Sequence, residues 1–469
     1  MTGGVDTIAC PAAGVQDFYQ ETREREDHFR MHFMVYGFGI VAESLIRILV
    51  KEGVAGMSDI LIAECNKKNI ERFLKFGGDK ENVLSITVTK ENLSELFDRL
   101  RENDFLIALC GDTDYVYLLE ESVKRKIHFV SAADGAFPED RDDNVPEPVA
   151  NIRKYKAIRE KTRMLSDFGV VPTCVLEFGM NPGMISIFTK RALEDIVAKD
   201  SGDFVKKNRS SLGKLIREKK YAELSYRLMV RQITLSDYDN LTFSVPYADG
   251  KKYSPWNISG MFEEFLGNST EIIGSFDRPE GRDFCYYDRE TGYIKYNIHS
   301  IVNEKEGLAP SGPFSGFLMN HEELLTLSEY FSFYNESGLI YRPGIRFIYK
   351  PNDYTVRSGM RIYETGEDLE NYLLTGDMIA ANGEAVGVLL EGDNFSPIYV
   401  GNYLDKKDVG NESPTILQVS ASMYAAIAYI LNHPYSGVLF AEEPDTSEMM
   451  DYAKKYLIDF TEMVKEKRG

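Results

Sequence analysis

Residues 32–49, HFMVYGFGIVAESLIRIL, constrain the fold more than any other part of the chain. The apolar run at 33–36 has the length of a buried parallel strand. Gly37 and Gly39 follow it directly, and apolar residues at helical spacing begin at Ile40. A strand, a glycine turn and a helix form the phosphate-binding corner of a dinucleotide fold: Gly37 permits the tight turn, and Gly39 lets backbone N–H groups approach a pyrophosphate.

A second apolar run, residues 59–63, ends at Glu64. An acid there can hold both ribose hydroxyls of NAD and disfavours a ribose 2′-phosphate. The glycine pattern is G-x-G-x-x-A, with Ala42 as its third small residue, and alone it also fits a turn that binds no nucleotide. With its flanking elements it predicts that NAD binds at Gly37, Gly39, Ile40 and Val41, with Glu64 on the adenosine ribose.

The charge balance restricts the class of partner. The chain has 54 Lys and Arg against 74 Asp and Glu, a formal net charge of −20. This argues against nucleic acid and favours a cationic small molecule, although many enzymes are acidic for solubility alone. No run of about 18 apolar residues predicts a membrane span, and the first residues lack a signal-peptide pattern.

The five cysteines are scattered, with no C-x-x-C and no metal-ligand spacing. They are typical of reduced thiols in a cytoplasmic protein. The sequence therefore predicts no bound metal and a cytoplasmic location.

Short apolar runs alternate with helical patterns up to about residue 182, as a doubly wound parallel sheet requires. The fold class predicted for residues 30–182 is α/β, a Rossmann NAD-binding domain. Its expected strands are 32–36, 59–63, 83–88, 105–110, 128–132 and 172–176. Its expected helices are 40–52, 67–75, 90–102 and 114–125, followed by a long helix that ends near residue 163.

The pattern changes after a helix that begins near Pro182. Residues 183–411 become rich in aromatic and β-branched residues with Gly, Asn and Asp turns, which predicts an α+β substrate and dimerisation domain. Residues 412–469 are expected to form helices that return to the first domain, and residues 1–29 a flexible arm. The β-rich domain has more apolar residues than one sheet face is expected to bury, so we predict a homodimer.

Several motifs follow one another in an order and spacing that is hard to obtain by chance. They are GMNPGM (179–184), PWNISGMFEE (255–264), FLMNHEELLTLSEYF (317–331), YRPGIRFIY (341–349), GEAVGVLLEG (383–392) and LQVSAS (417–422). Together they resemble bacterial-type homospermidine synthase, of the saccharopine dehydrogenase-like group, from about residue 33 to 445. The resemblance implies that NAD oxidises putrescine to an imine and that ammonia leaves. A second di- or polyamine then adds, and the same NADH reduces the new imine.

The resemblance also implies roles for single residues. Trp256, the only tryptophan, matches an indole face for the amine, worth roughly 2 kcal/mol when desolvated. Glu264 matches an amine-binding acid, and Asp237 lies where the family has a glutamate. His321 matches the substrate-pocket histidine, which we expect to deprotonate the amine with a near-neutral pKa. Asn181 matches an asparagine beside the nicotinamide.

Other matches depart from the family or concern the cofactor. Asp134 falls where the family has a glutamate, and Glu384 where it has an aspartate; both are expected to bind the amine. The Pro-Trp that follows the first of these acids in the family is Gly-Ala here. Each exchange keeps the charge and moves the carboxylate by about one methylene, which leaves the preferred amine open. The matched cofactor contacts are Asp112, Thr113 and Gly179.

Each of these residues also has an ordinary structural interpretation. A lone tryptophan is commonly a core residue, and His321 precedes two glutamates at a predicted helix start. Asn181 before a proline fits a helix N-cap, as do Asp112 and Thr113 before the next helix. Glu264 is preferred to Glu263 by register alone.

Two other functions remain open. A saccharopine-type or carboxyspermidine-type dehydrogenase would perform net NAD(P)-linked redox and would need cations such as Arg342 or Arg346 for a substrate carboxylate. A catalytically silent NAD-binding protein would keep the nucleotide site without turnover.

Overall fold

The computed structural model describes residues 31–111, 113–132, 135, 137, 144–166, 171–458 and 460–464. The predicted arm, residues 1–29, lies outside them. In chain order the described strands are β1 (Phe33–Tyr36), β2 (Ile60–Glu64), β3 (Val83–Ser85), β4 (Phe105–Ala108), β5 (His128–Ser131), β6 (Cys174–Val175), β7 (Val230–Asp239), β8 (Thr242–Phe243), β9 (Lys251–Ser254), β10 (Asn268–Ile272), β11 (Phe284–Tyr287), β12 (Tyr293–His299), β13 (Glu304–Ala309), β14 (Gly312–Leu318), β15 (Phe333–Asn335), β16 (Gly338–Tyr341), β17 (Gly344–Lys350), β18 (Glu370–Leu373), β19 (Ile379–Ala381), β20 (Gly383–Gly392), β21 (Ile398–Asp405), β22 (Val438–Leu439) and β23 (Phe460–Val464). The described α-helices are α1 (Ile40–Lys51), α2 (Lys67–Lys75), α3 (Tyr115–Arg125), α4 (Glu147–Ser166), α5 (Met184–Lys199), α6 (Asp203–Arg217), α7 (Tyr221–Leu228), α8 (Ile258–Leu266), α9 (Glu323–Phe331), α10 (Asp353–Thr365), α11 (Lys406–Val409), α12 (Pro414–Asn432) and α13 (Thr446–Ala453).

Within the described residues the first sheet has seven parallel strands in the order β22-β6-β5-β4-β1-β2-β3. The strands β1, β2, β4 and β5 are buried along their whole length, which explains their continuous apolar runs. The direction in which successive strands are added to the sheet reverses between β1 and β4. This is the switch point where a doubly wound sheet binds its ligand. The predicted Rossmann sheet is confirmed.

One helix predicted in this part of the chain is wrong. Residues 90–102 contain only a short 3-10 turn, Leu93–Phe97. The Asn92 side chain accepts a hydrogen bond from Thr89 N and donates one to the carbonyl of Thr87, at 2.7 and 3.0 Å. Such local side-chain bonds to the backbone compete with a helical start.

The second sheet has the order β11-β12-β10-β17-β7-β20-β21-β23, and β14 also pairs with β17. Neighbours on this path are antiparallel except β7 and β17, which are parallel. The long strands β7 and β20 lie at its centre and carry Asp237 and Glu384. The predicted second domain of mixed α and β structure is confirmed, while its exact boundaries, residues 183 and 411, stay predictions.

The C-terminal segment contains the predicted helices α12 and α13, and α12 packs against α1 and β5. It also contains two strands that the sequence did not predict. The strand β22 extends the parallel sheet beside β6, and β23 extends the other sheet beside β21. Helix α12 is long and apolar enough to cross a membrane, but 89% of that window is buried inside the protein.

Candidate active site

A cavity of about 530 Å³ lies where the carboxyl edge of the parallel sheet meets the second sheet. Its nucleotide end is formed by Gly39, Ile40, Val41 and Ala42, at the start of α1. Its acid end is formed by Asp237, Glu264, Glu322 and Glu384. The predicted site residues that line it are Gly39, Ile40, Val41, Gly179, Asn181, Asp237, Trp256, Glu264, His321 and Glu384.

The glycine turn has the features that a pyrophosphate site requires. Gly37 has φ +91°, and a Cβ there would lie 3.1 Å from Cys110 Cβ. A Cβ on Gly39 would meet only open space, so this backbone faces the cavity. No side-chain cap closes the start of α1 within the described chain, which leaves the first-turn N–H groups for an anion. These residues therefore fit a bound dinucleotide.

Glu64 lies at the end of β2, as predicted, but its carboxylate contacts the turn itself. It accepts hydrogen bonds from the backbone N–H groups of Phe38 and Asn66 and from Asn69 Nδ2, at 2.9, 2.8 and 3.0 Å. A carboxylate has about four acceptor positions, so one remains for a ribose hydroxyl. Glu64 fastens the turn, and its ribose contact stays a prediction.

The loop after β4 differs from its prediction in one respect. Thr113, a predicted cofactor contact, is buried and does not line the cavity, and its hydroxyl is 2.8 Å from the Tyr36 hydroxyl. The cap of α3 is Asp114, which accepts a hydrogen bond from Tyr117 N, so neither Asp112 nor Thr113 was the correct choice of cap. Asp112, the predicted cofactor contact in this loop, lies outside the described residues, and so does Asp134, the predicted amine contact after β5. The loop reaches the cavity through Gly111 and Tyr115, which the sequence did not indicate.

Asn181 projects from a tight turn between β6 and α5. Gly183 has φ +125°, and a Cβ there would lie 2.2 Å from the carbonyl oxygen of Gly179, so only glycine fits. The N-cap of α5 is Gly183 rather than Asn181. The Asn181 side chain is therefore available to the cavity, where Nδ2 donates to Asp237 Oδ2 at 3.1 Å.

Asp237 and Glu384 lie on neighbouring strands with their carboxyl groups in hydrogen-bonding reach of each other. Thr415 also hydrogen-bonds Glu384, and two carboxyl groups can bond each other only when one of them carries a proton. Burial raises the pKa of both groups, and the negative charge of Asp237 raises the pKa of Glu384 further. The acid end is thus able to hold and release a proton.

Trp256 lies two residues before α8, and Glu264 lies in the second turn of this helix. The Trp256 ring lies over Gly260 on the cavity wall, with ring carbons 3.3 Å from the position of a Cβ there. Glu264 is half-buried and lines the cavity, and burial raises its pKa well above the usual range, with Glu322 and Glu263 adding to the rise. Glu263 is exposed on the outer face, which supports the choice of Glu264.

His321 faces the cavity beside Phe347, but its predicted near-neutral pKa is wrong. The ring is 5% exposed, and burial lowers the pKa of His321 to about 3. Its Nδ1 lies 3.4 Å from Glu323 Oε1. The ring is therefore neutral at physiological pH, and proton acceptance falls to the carboxyl groups around it.

The sequence missed Glu322 and Glu323 as site residues. Glu322 lines the cavity, and Glu323 is fully buried behind His321 with its pKa raised by burial and by neighbouring acids. Both were interpreted as the polar start of a helix. The available signal was that Glu323 falls on the buried stripe of α9 with Leu327 and Phe331.

No lysine or arginine from the described part of the chain lines the cavity. Arg342 is buried elsewhere and donates to the carbonyl of Glu290, and Arg346 Nε donates to Thr234 Oγ1 at 3.1 Å. Neither can bind a carboxylate in this cavity. Its charge therefore suits a cationic ligand.

Residues 33–167 match the family model described as the saccharopine dehydrogenase NADP binding domain. The chain is 24% identical over 297 residues to a homospermidine synthase of Blastochloris viridis. The aligned region covers 61% of this chain and 60% of that protein. It is 22% identical over 388 residues to a homospermidine synthase of Mesorhizobium japonicum, covering 79% of this chain and 78% of that protein.

Two solved structures show the fold. The homospermidine synthase of Legionella pneumophila in complex with NAD has a TM-score of 0.78 at 22% identity, covering 94% of each chain. The saccharopine dehydrogenase (L-Glu forming) of Saccharomyces cerevisiae has a TM-score of 0.51 at 12% identity, covering 93% of this chain and all of that one. The resemblance that the sequence motifs predicted is confirmed.

Proposed function

We propose, because this chain resembles homospermidine synthases over most of its length, that it is an NAD-dependent enzyme that joins two amines. The single observation that carries this proposal is the cavity itself. One end is a dinucleotide turn, the other is lined by four carboxyl groups, and no cationic side chain from the described residues separates them. A diamine carries two positive charges at neutral pH, so this lining is complementary to it.

The nucleotide end supports NAD in particular. The backbone of Gly39 and the first turn of α1 are open to a pyrophosphate. Glu64 opposes a ribose 2′-phosphate by charge, which favours NAD although the matching family model is described as NADP-binding. NAD would accept a hydride from the amine-bearing carbon and return it to the imine formed with the second amine.

The residues at the acid end would control protons during this sequence. Hydride leaves only a carbon whose amine has lost its proton, so one ammonium must be deprotonated while the other is held. Asp237 and Glu384 can share one proton, and the ionised member of the pair can accept a proton from an ammonium. Trp256 would cover the alkyl chain, and Asn181 would fix Asp237 through its amide.

We further propose that the protein is cytoplasmic and acts as a homodimer. The apolar side chains exposed around the β15–β16 hairpin, Phe276, Tyr334, Leu339 and Ile340, provide a surface that a second copy can cover. The molecular mass in solution at micromolar concentration tests this, and a strictly monomeric mass contradicts it.

The function is tested by incubating the protein with putrescine and NAD. Ammonia without accumulation of NADH supports amine joining, because the hydride returns to the product. Net NADH would instead indicate a dehydrogenase, and NAD binding without turnover a silent nucleotide-binding protein. The absence of Arg342 and Arg346 from the cavity leads us to expect the first result.

A further inference from the structure

Glu442 is a fully buried acid outside the cavity, between β22 and α13. Ser186 Oγ donates to its Oε1 at 2.8 Å, and Thr326 Oγ1 lies 2.9 Å from the same oxygen. Its Oε2 has no hydrogen-bond partner among the described residues. Burial of an acid without a cation bonded to it is costly, which calls for a functional explanation.

The two hydroxyl partners come from the helices that follow the Asn181 turn and His321. Ser186 lies in the first turn of α5, and Thr326 lies one turn after Glu323 in α9. Glu442 therefore connects, from outside the cavity, the two helices that follow the Asn181 turn and His321.

Thr326 can serve either charge state of Glu442. Its Oγ1 lies 2.9 Å from Glu442 Oε1 and 3.1 Å from the carbonyl oxygen of Glu323. A hydroxyl has one proton to donate. When Glu442 is ionised, Thr326 donates to it. When Glu442 is protonated, it can donate to Thr326, which then donates to the Glu323 carbonyl. Rotation of one hydroxyl satisfies both states.

The surroundings of Glu442 place its titration near neutral pH, and burial is the main cause. Burial raises the pKa of Glu442 to about 7, against the lowering effect of Ser186 and Thr326, and Glu443 adds to the rise. Lys190 faces the same region, and its ammonium donates to the carbonyl of Pro444 at 2.6 Å. On the side of the cavity, the charge of Glu442 contributes to the raised pKa values of Glu323 and Tyr330.

We propose that Glu442 is a positioning residue that releases its proton when a cationic amine enters the cavity and regains it when the product leaves. The inference rests on the proposed function. A positive charge brought into a buried acidic cavity favours ionised carboxyl groups nearby. Glu442 has hydroxyl donors ready for its anion, whereas the side-chain oxygens of Glu323 have no donor among the described residues. The O–H bond of Glu442 breaks, the proton passes to solvent, and no bond of the amine changes.

The test is calorimetric titration of NAD-loaded full-length protein with putrescine at pH 7, in buffers with different ionisation enthalpies. These give the number of protons released per amine bound. We expect net release from the wild type, and up to about one proton fewer from Glu442→Gln, since the amide keeps an acceptor but cannot titrate. Putrescine should bind about five- to tenfold more weakly to this variant, with NAD affinity unchanged.

Glu443→Gln is the comparison variant, because Glu443 pairs with Arg159 at 3.1 Å and acts on Glu442 only through its charge. It should still release the proton that Glu442→Gln cannot, with a midpoint at lower pH than in the wild type. The same proton count in Glu442→Gln and wild type would overturn the inference and leave the proposed function standing. Absence of putrescine binding to the wild type would overturn both.

Ser186→Ala decides the matter if Glu442→Gln does not fold. Loss of this donor raises the pKa of Glu442, so proton release should reach its midpoint at a higher pH than in the wild type. An unchanged pH profile would overturn the inference.

Discussion

At the nucleotide end of the cavity the binding groups are backbone N–H groups from one short segment, whereas at the acid end they are side chains from five distant segments. Gly39 and the first turn of α1 are consecutive, and Glu64 follows one strand later. Asn181, Asp237, Glu264, His321 and Glu384 come from separate turns, strands and helices. The first end depends mainly on the geometry of the backbone, and the second depends on the position and charge of each side chain. Variants at the two ends should therefore affect the two ligands separately.

Glu264→Gln should give the largest difference between the effect on the amine and the effect on NAD. Loss of one desolvated carboxylate–ammonium contact should cost about 2–5 kcal/mol in kcat/KM for putrescine. NAD affinity, measured by calorimetry, should stay nearly unchanged. Glu263→Gln is the control, since Glu263 is exposed on the outer face of the same helix. Wild-type turnover in Glu264→Gln would show that the acid end does not bind the amine.

Trp256→Ala should reduce putrescine turnover by about 2 kcal/mol through loss of the indole face. Trp256→Phe keeps an aromatic ring with a weaker field and should give an intermediate rate. If both variants melt at lower temperature but turn over putrescine normally, Trp256 is an ordinary core residue.

Glu64→Ala tests the opposite end. It removes the acid that fastens the turn and, with it, the proposed charge-assisted hydrogen bond to the ribose, so NAD should bind about 1–3 kcal/mol more weakly. The KM for putrescine at saturating NAD should not change. Glu71→Ala, on the exposed side of the adjacent helix α2, should keep NAD affinity. Unchanged NAD affinity in Glu64→Ala would contradict the ribose assignment.

The smallest effect concerns pH. Asp237 and Glu384 have raised pKa values, so protons compete with the amine at low pH and amine affinity should increase as pH rises through these values. The Asn181 amide lowers the pKa of Asp237, so Asn181→Ala should move this rise to higher pH by up to about one pH unit. Titration of the NAD-loaded variant with putrescine from pH 5.5 to 8.5 measures the shift. An identical profile would mean that Asp237 does not titrate on binding.

His321 sharpens the same comparison. Its pKa lies near 3, so the pH dependence between 5.5 and 8.5 should come from carboxyl groups. Sequence reasoning assigned the proton to histidine because its ordinary pKa is near neutral. Burial reverses the order of these pKa values, because it disfavours the charged form of every group. It lowers the pKa of the histidine and raises the pKa values of the acids.

The two exchanges of acid length at Asp237 and Glu384 also acquire a meaning only in three dimensions. Relative to the family, the sequence shortens one acid and lengthens the other. The two residues lie on adjacent strands and their carboxyl groups interact, so the two exchanges alter one pair of acids rather than two separate sites.

The sequence by itself determined the parallel sheet, the glycine turn and three of the four acids that line the cavity, Asp237, Glu264 and Glu384. These features rest on local patterns: apolar runs of strand length, glycines at fixed spacing, and motifs of a few consecutive residues. Tertiary structure alone decided the two strands that the C-terminal segment adds to the sheets, because β22 has only two residues and β23, FTEMV, has neither a continuous apolar run nor strict alternation. It also decided the protonation of His321 and the burial of Glu323 and Glu442, because desolvation depends on the whole surrounding fold and not on neighbours in the chain.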